Sequence, residues 1–560
     1  MLHKSSKLFI LLIGIVLWQA GFAQSVYAPL NSDYYHLVDR YEIKYGRFAE
    51  GFHTQTKPYE RKGIVQLMDS VALNHNFLSG RDRFNITYLR NDSWEWAADS
   101  ADNDSKKPIF GVFYKKKSDL YQVQTEDFDL HVNPVLYLGG GTEQGGNRLY
   151  INTRGAEIRG MIGKKIGFYS FLADNQAVFP SFVRQRIEAT NGVPGEGYHK
   201  PFKSNGSDFF TARGYITFNI VKPLQIQFGH DKNFIGNGYR SMILSDYSSN
   251  YLFLKTNLRV WRINYENIFA QMTGQVPNFQ DAVFPKKYFA FHHLSVNLTK
   301  NLNVGLFESV MFGREDSTGH NGFDLNYLNP IIFYRSIEQQ LGSADNAMVG
   351  MDFKWNFLRH FSMYGQLVID EFLLSKVKEG SGWWANKQSG QIGIKYIDVA
   401  GIRNLDMQVE ANIARPYTYA HETIYTNYAN YNQPLAHPLG ANFYEVIGIL
   451  RYQPINRLNL TGKLIYARYG EDVNGSDNGG NVLLDYTNRT KEFGNTIAQG
   501  VSTTLAFADF TASYQIKHNL FIDGKAIIRR VESALPERNK NSYIGFVTLR
   551  WNIPQRLQEF

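Results

Sequence analysis

The sequence predicts a mainly β fold: a transmembrane antiparallel β-barrel of about 18 strands with a small N-terminal α-helical domain. Three observations predict it. Apolar and polar residues alternate through most of the chain, short turns alternate with long loops, and the composition is aromatic and Gly-rich yet polar on average. Aromatic residues make up 15% of the 560 residues, with 35 Tyr, 40 Phe and 8 Trp, and there are 48 Gly. The mean hydropathy is nevertheless −0.34. Only alternate residues of such a barrel face lipid, and aromatic girdles mark both interfaces, which yields this combination.

The chain opens with Lys4 and Lys7, an apolar stretch from Leu8 to Trp18, and small residues at Gly21 and Ala23. That layout predicts a secretory signal peptide over residues 1–23. Its apolar core is shorter than the roughly 20 residues a membrane helix needs, and no later stretch meets that length. A periplasmic helical domain is expected over residues 24–105 and an outer-membrane barrel over 106–560. The chain has no Cys, which excludes disulfides, a thiol nucleophile and a lipid-modified N-terminal cysteine. The net charge of +8 falls to +6 when Lys4 and Lys7 leave with the leader. Without a concentrated basic stripe, nucleic acid is not an expected partner. The run Lys115 to Lys117 reads as a solvated loop.

Helical spacing occupies Asn31 to Asp99. Tyr34, Leu37, Val38 and Tyr41 share one face of a first helix that Ser32 can cap and Gly46 can end. A second helix follows Pro58 and aligns Ile64, Leu67, Met68 and Val71. A third starts at Ser79 and groups Phe84, Tyr88 and Leu89. Such amphipathic segments must bury their apolar faces on one another or on the barrel rim.

From about Phe128 the period becomes 2. Leu405, Met407, Val409, Ala411 and Ile413 alternate with Asp406, Gln408, Glu410 and Asn412, giving a lipid side and a lumen side. Leu224, Ile226 and Phe228 alternate with Gln225 and Gln227, and Val349 to Trp355 repeats the pattern around Asp352 and Lys354. Tight turns are expected near Gly163, Val221 to Pro223, Thr299 to Asn301, Leu358 to His360, Ala400 to Arg403, Gln453 to Asn456 and Lys517 to His518. Between them lie long segments such as Ala177 to Asn205, Asp231 to Ser249, Gly313 to Asp345, Pro416 to Gly440 and Gly470 to Thr496. In outer-membrane barrels short turns face the periplasm and long loops the exterior. An even strand number then places both barrel ends, and the helical domain, on the periplasmic side.

Two segments resemble a known family. Gly229 to Ser245, with Gly229, Asp231, Gly236, Gly238, Arg240, Ser241 and Ser245, is similar to the segment after an early strand in Wzi-like capsule assembly proteins, including Bacteroidetes versions. Ile235 stands where those proteins often have Trp. Leu328 to Glu338, followed by Gly342 to Asn346, is similar to a second family segment. The resemblance implies an outer-membrane barrel with a periplasmic helical domain, acting as a lectin for capsular polysaccharide. Related Bacteroidetes proteins are also linked to gliding motility.

Sugars are amphipathic, so their binding needs aromatic faces beside polar groups. The predicted exterior loops supply Trp383, Trp384, Asn386 and Lys387 in one stretch and Tyr417, Tyr419, Tyr425 and Tyr428 in another. The competing assignment for each is an interfacial girdle or a loop-packing role. Lumen-facing charges of both signs, Arg213, Arg262, Glu266, Asp352, Lys354, Lys395, Glu410, Asp523 and Lys525, point to mutual pairing or to an inward-folded loop. A plugged lumen is therefore expected over an open porin. The Gly-x-Gly at Gly236 and Gly238 is expected to form a tight loop over the barrel mouth, fixed by Asp231, Arg240 and Asp246. No catalytic motif, metal site or cofactor motif is evident; His292 and His293 are adjacent on a strand and point to opposite faces. The expected function is non-enzymatic binding of surface polysaccharide, with outer-membrane lipids as surroundings and a periplasmic protein as a further partner. The rivals are a diffusion porin and a component of a motility or secretion complex.

Overall fold

A computed structural model describes residues 25–73, 78–276, 283–316, 319–331 and 333–560. The expected leader, residues 1–23, lies outside the described residues. Eighteen antiparallel strands form a closed ring. They are β1 (Phe128–Glu143), β2 (Asn147–Ile162), β3 (Ile166–Val178), β4 (Gly206–Val221), β5 (Leu224–Asp231) and β6 (Tyr251–Val260). Next come β7 (Ile263–Thr273), β8 (Lys286–Asn297), β9 (Leu302–Phe312), β10 (Asn346–Phe357), β11 (Phe361–Glu371) and β12 (Lys387–Tyr396). The ring ends with β13 (Leu405–Ala414), β14 (Phe443–Ile455), β15 (Leu458–Glu471), β16 (Val501–Lys517), β17 (Leu520–Ser533) and β18 (Lys540–Trp551). Each strand pairs with its neighbour in sequence, and β18 closes on β1 from Ile544 opposite Glu143 to Trp551 opposite Leu136.

Alternation decides which side chains meet lipid. On β13, Val409 and Ile413 stay exposed on the outer wall while Asp406, Gln408, Glu410 and Asn412 are buried in the lumen. On β10, Val349, Met351 and Trp355 face outward and Asp352 and Lys354 inward. A stacked row of Trp355, Phe357, Phe361 and Tyr396 marks the rim at the short-turn end, as an aromatic girdle does. The tight turns fall where the spacing predicts, with one more at Trp261–Arg262. That turn carries no turn-type residue: Trp261 itself takes the left-handed conformation, φ 55°, a position usually held by Gly or Asn. Arg262 consequently sits on this exposed turn, donating to the Leu298 carbonyl, and does not line the lumen.

Three helices close the short-turn end: α1 (Ser32–Tyr45), α2 (Arg61–Ala72) and α3 (Gly80–Asp92). Asn31, not Ser32, caps α1, because its side-chain oxygen accepts from the Asp33 and Tyr34 amides. Gly46 ends that helix at φ 74°. Ser79 and Asp82 form a reciprocal capping box at the start of α3. Val38, Tyr41, Ile64, Met68, Val71 and Leu89 build a core shared by the three helices. On α3 the buried face is Asp82, Asn85, Ile86 and Leu89, whereas Phe84 and Tyr88 are half-buried. The expected apolar grouping gives way there because α3 turns polar residues toward the barrel mouth, where Asn85 donates to Gln453.

The helices do not stand apart from the barrel. Arg40, 1% exposed, pairs with Asp82 of α3 and with Asp398 and Asp406 of the barrel. Lys44 bridges Asp82 and Asp398 at 2.8 and 3.0 Å. Deeper in, Lys354 of β10 holds Glu42 at 2.6 Å and Asp39 at 3.2 Å, and Lys395 of β12 also pairs with Asp39. Beyond α1 the chain reaches mid-lumen, where Thr56 and Lys57 form a short ladder opposite Ile235 and Phe234 of the β5–β6 loop. The Lys57 ammonium donates to the Gly236 carbonyl at 2.7 Å.

The lumen is thus filled from both ends, and the C-terminal tail fills it further. After Trp551 the chain re-enters the barrel, with Arg556 paired to Glu196 at 2.8 Å and Glu559 to Arg240 at 2.6 Å and to Lys463. The lumen charges pair as the mixed signs predict: Asp352 with His293, Asp523 with Arg550, Lys525 with Asp509. Cavities of about 150 and 210 Å³ are left among the described residues. Arg213, Phe171, Ile553 and Pro554 line both.

Acid is expected to loosen the helices from the barrel. Burial pushes the Asp82 carboxyl up, but Arg40 and Lys44 outweigh it and bring it down to about 2. Burial likewise opposes Lys354 and Lys395 at Asp39, and the two lysines win, holding that carboxyl well below the usual range. A carboxylate lowered by folding contributes stability that is complete above its unfolded value, 3.8 here, and is lost as pH falls through the folded value. For Asp82 this amounts to about 2 kcal/mol. Hydrogen exchange of the α1 amides, corrected for its intrinsic pH dependence, should therefore accelerate from about pH 4 down to about pH 2. A flat corrected profile contradicts the coupling.

Candidate functional site

At the long-loop end, two connections meet: residues 372–386 between β11 and β12, and residues 472–500 between β15 and β16. They are laced by backbone bonds from Trp384 to the Glu492 carbonyl, Gly494 to Ser381 and Asn495 to Gly382. Gly382 sits at φ +62°, and a Cβ there would lie 2.8 Å from the Asn495 nitrogen and 3.0 Å from the Gly494 Cα. Only glycine permits both the conformation and the approach.

This lacing brings Trp383 and Trp384 to one carboxylate. Both indole N–H groups donate to Glu492 Oε1, each at 3.1 Å. Arg489 pairs with the same carboxylate and lies over the Trp384 ring, 4.2 Å from its centroid. Hydrogen bonding from Arg489, ahead of the indole donors, holds the exposed Glu492 carboxyl below its ordinary range. Tyr486, itself buried, packs against Trp384 at 4.8 Å, and Phe493, next to Glu492 in sequence, stands 50% exposed. The result is an aromatic surface edged by a guanidinium and a carboxylate, which can stack on sugar C–H faces and bond hydroxyls.

Of the residues predicted for binding, Trp383, Trp384 and Tyr425 are half-buried. The other five are buried. Asn386 accepts from the Leu373 amide at 2.8 Å, and Lys387 reaches the Ala420 carbonyl and Glu371. Tyr417, Tyr419 and Tyr428 are 0 to 1% exposed, and their hydroxyls donate to the carbonyls of Asp477, Met242 and Ile243. An inward-folded loop takes its backbone carbonyls away from water and each needs a donor. Tyrosine supplies one at the tip of an apolar ring. The loop-packing role therefore accounts for these three, and they do not face the exterior. Tyr486, Arg489, Glu492 and Phe493 were not anticipated, since a polar loop has no periodicity to reveal which of its residues meet a distant loop.

The Gly229–Ser245 segment lies inside the barrel, deeper than a loop over its mouth. A Cβ on Gly236, at φ +121°, would meet Gln366 Nε2 at 2.2 Å, and one on Gly238 would meet Gln391 at 2.6 Å. The glycines thus let the loop press against the wall. A Cβ on Gly229 would likewise lie 2.3 Å from Tyr215 Cβ. Ser241 accepts from the Ile243 and Leu244 amides, and Ser245 donates to the carbonyls of Leu435 and Ala436. Arg240 fixes the loop through Glu445 and Glu559. Among the described residues the Asp231 side chain bonds the adjacent Lys232 amide alone, and the Asp246 side chain is exposed, so Arg240 is the one of the three expected charges that performs that task across the lumen. In the second family segment, Glu308 on the lipid face accepts the Tyr334 and Arg335 amides and pairs with His292 at 3.2 Å. That loop covers a polar pair on the outer wall.

A family model described as capsule assembly protein Wzi matches residues 110–541. Among solved structures the chain is similar to Wzi of Escherichia coli, described as an outer-membrane protein involved in group 1 capsule assembly and a carbohydrate-binding β-barrel. That likeness, at 14% identity and a TM-score of 0.55, covers 96% of this chain and 100% of the other, and it is one of fold. OprD of Pseudomonas aeruginosa matches at 10% identity over 75% of this chain and 94% of its own, with a TM-score of 0.40. No curated protein matches the sequence. With the family model spanning most of an 18-strand outer-membrane barrel, the chain belongs to the Wzi capsule assembly protein family.

Proposed function

We propose that the protein holds surface polysaccharide at its exterior mouth, on Trp383 and Trp384 together with Phe493, Arg489 and Glu492. The observation that carries this reading is the pair of half-buried indoles from one loop anchored on a carboxylate of another and edged by Arg489. The capsule-assembly family and the carbohydrate binding of the E. coli protein support the ligand class. The helices at the short-turn end face the periplasm in this reading, since an even number of strands returns both barrel ends to that side. A periplasmic protein partner would dock there. Placement in the Bacteroidetes-type, motility-associated branch rests on the Gly229–Ser245 resemblance, and loss of gliding on gene deletion would test it. The filled lumen argues against a diffusion porin.

Replacing Trp383 and Trp384 together with Ala should release polymer into the medium while the barrel keeps its heat-modifiable gel mobility. Losing an aromatic anchor costs about 2 kcal/mol, roughly thirtyfold in affinity. Long polymers engage many copies, so avidity can mask the loss on cells, and affinity for purified polymer should be measured alongside. A further variant removes Phe493 and Arg489. Unchanged polymer retention and affinity in both variants and their combination would sink the assignment.

A further inference from the structure

We propose that residues 104–117 form a membrane-anchoring hairpin that inserts into an anionic phospholipid leaflet at the short-turn rim of the barrel. The segment reads Lys106-Lys-Pro-Ile-Phe-Gly-Val-Phe-Tyr-Lys-Lys-Lys117, an apolar centre with basic residues on both flanks. The backbone folds it as a hairpin. Ile109 and Phe113 exchange both backbone bonds, Ser105 donates to Lys115, and Lys117 donates to Asn103.

The root of the hairpin is fixed to the protein. Lys116 pairs with Asp104 and lies over Trp94, and Asn103 donates to Ser118. Its tip touches little. Phe110 is 91% exposed, and Ile109, Val112 and Phe113 are 48%, 45% and 37% exposed. A hairpin meant for water places Asn, Asp or Gly at the corners of such a turn. Here the two corner residues with positive φ are Phe110 at 51° and Gly111 at 68°. A phenylalanine held in a left-handed conformation and left bare costs free energy that only an apolar surrounding offsets.

Position supplies that surrounding. Tyr114 stacks on Trp551 with centroids 6.0 Å apart and planes 7° from parallel. Trp551 ends β18 in register with Val547, 61% exposed on the lipid-facing wall. The hairpin therefore lies beside the lipid belt at the level of the interfacial aromatics, where apolar side chains submerge and lysine ammoniums rise to the phosphates. Lys106, Lys107 and Lys115 are exposed and make no ion pair among the described residues. No acidic residue falls between Asp104 and Asp119. This charge pattern selects anionic over zwitterionic headgroups, each lysine contributing about a fivefold preference.

The chain contains no Cys, so Val112→Cys gives a unique attachment point at the tip for an environment-sensitive fluorophore, with Glu537→Cys as a water-exposed control on the opposite rim. Full-length protein is reconstituted into vesicles of phosphatidylcholine alone or with phosphatidylglycerol, with iodide present on both sides. In the anionic vesicles the label at 112 should be several-fold less quenched by iodide than the label at 537, and quenched by nitroxide carried on the lipid headgroup. Changing Lys106, Lys107 and Lys115 to Gln should remove most of this protection, because three lysines shift the partition by roughly a hundredfold. Equal iodide access at 112 and 537 in both vesicle types overturns the proposal. So does protection that is the same in both lipids and unaffected by the lysine changes, which would mean the tip rests on the barrel wall alone.

Discussion

Replacing Arg40 with Ala is expected to undock the N-terminal helices from a barrel that itself stays closed. Arg40 is almost fully buried and is the cation shared by Asp82, Asp398 and Asp406. Without it, Lys44 is left to balance Asp82 and Asp398, and His36 is what remains beside Asp406. Removing one partner from a buried charge network costs about 3–5 kcal/mol, since the remaining charges stay desolvated. The undocked population then rises by between about a hundredfold and a few thousandfold. Proteolysis that samples the open state should follow that population. Trypsin should cut within α1 to α3 at correspondingly higher rates, while gel mobility before boiling is unchanged. Arg40→Lys should rescue little, because a point charge cannot replace a guanidinium fork reaching three carboxylates. Arg83→Ala, at an exposed position of α3, is the control, and an Arg40→Ala variant that digests no faster than this control would refute the docking role.

At the opposite end, Arg240→Ala should release the β5–β6 loop and the C-terminal tail together. Its guanidinium bridges Glu445 and Glu559 and faces the Phe560 ring. His437 stays with Glu445 and Lys463 with Glu559, so the loss falls near the lower end of the buried-pair range, about 3 kcal/mol. The larger effect appears in combination. Each single variant leaves the lumen obstructed from the other end, so the wild type and both singles should be silent in planar bilayers. A barrel of roughly 18 strands emptied of its contents is wide enough for water, and the double variant should open in large steps. A double variant that stays silent although both regions have become protease-sensitive would show that the obstruction lies elsewhere.

The barrel was legible in the sequence because a single physical constraint, lipid on one side and lumen on the other, repeats at every second residue. The strand tally, the long loops and most turns follow from that period. Trp261 shows where it stops: its turn is held by neighbouring strands, without a turn-forming residue. The helices too were legible one by one, from Tyr34, Ile64 and Ser79. Their place inside the mouth was not, because it depends on Arg40 meeting Asp398 and Asp406 more than 350 residues later in the chain. The site divides in the same way. Trp383 and Trp384 announce themselves as adjacent indoles in a long loop, but Glu492 and Arg489 join them only through loop-to-loop lacing. Tyr417, Tyr419 and Tyr428 misled, since a row of aromatic hydroxyls suits a sugar surface and a buried loop equally well.

The C-terminal tail has a consequence for the order in which the molecule is assembled. Glu559 meets Tyr239 across 320 residues of sequence, and it does so inside a ring that β18 completes immediately before the tail begins. Residues 552–560 dock on a loop that must already be packed within. Contacts of such long range form late and slowly. The seam between β18 and β1 and the tail behind it would then be the closing event of biogenesis, a latch set only after the interior has been loaded.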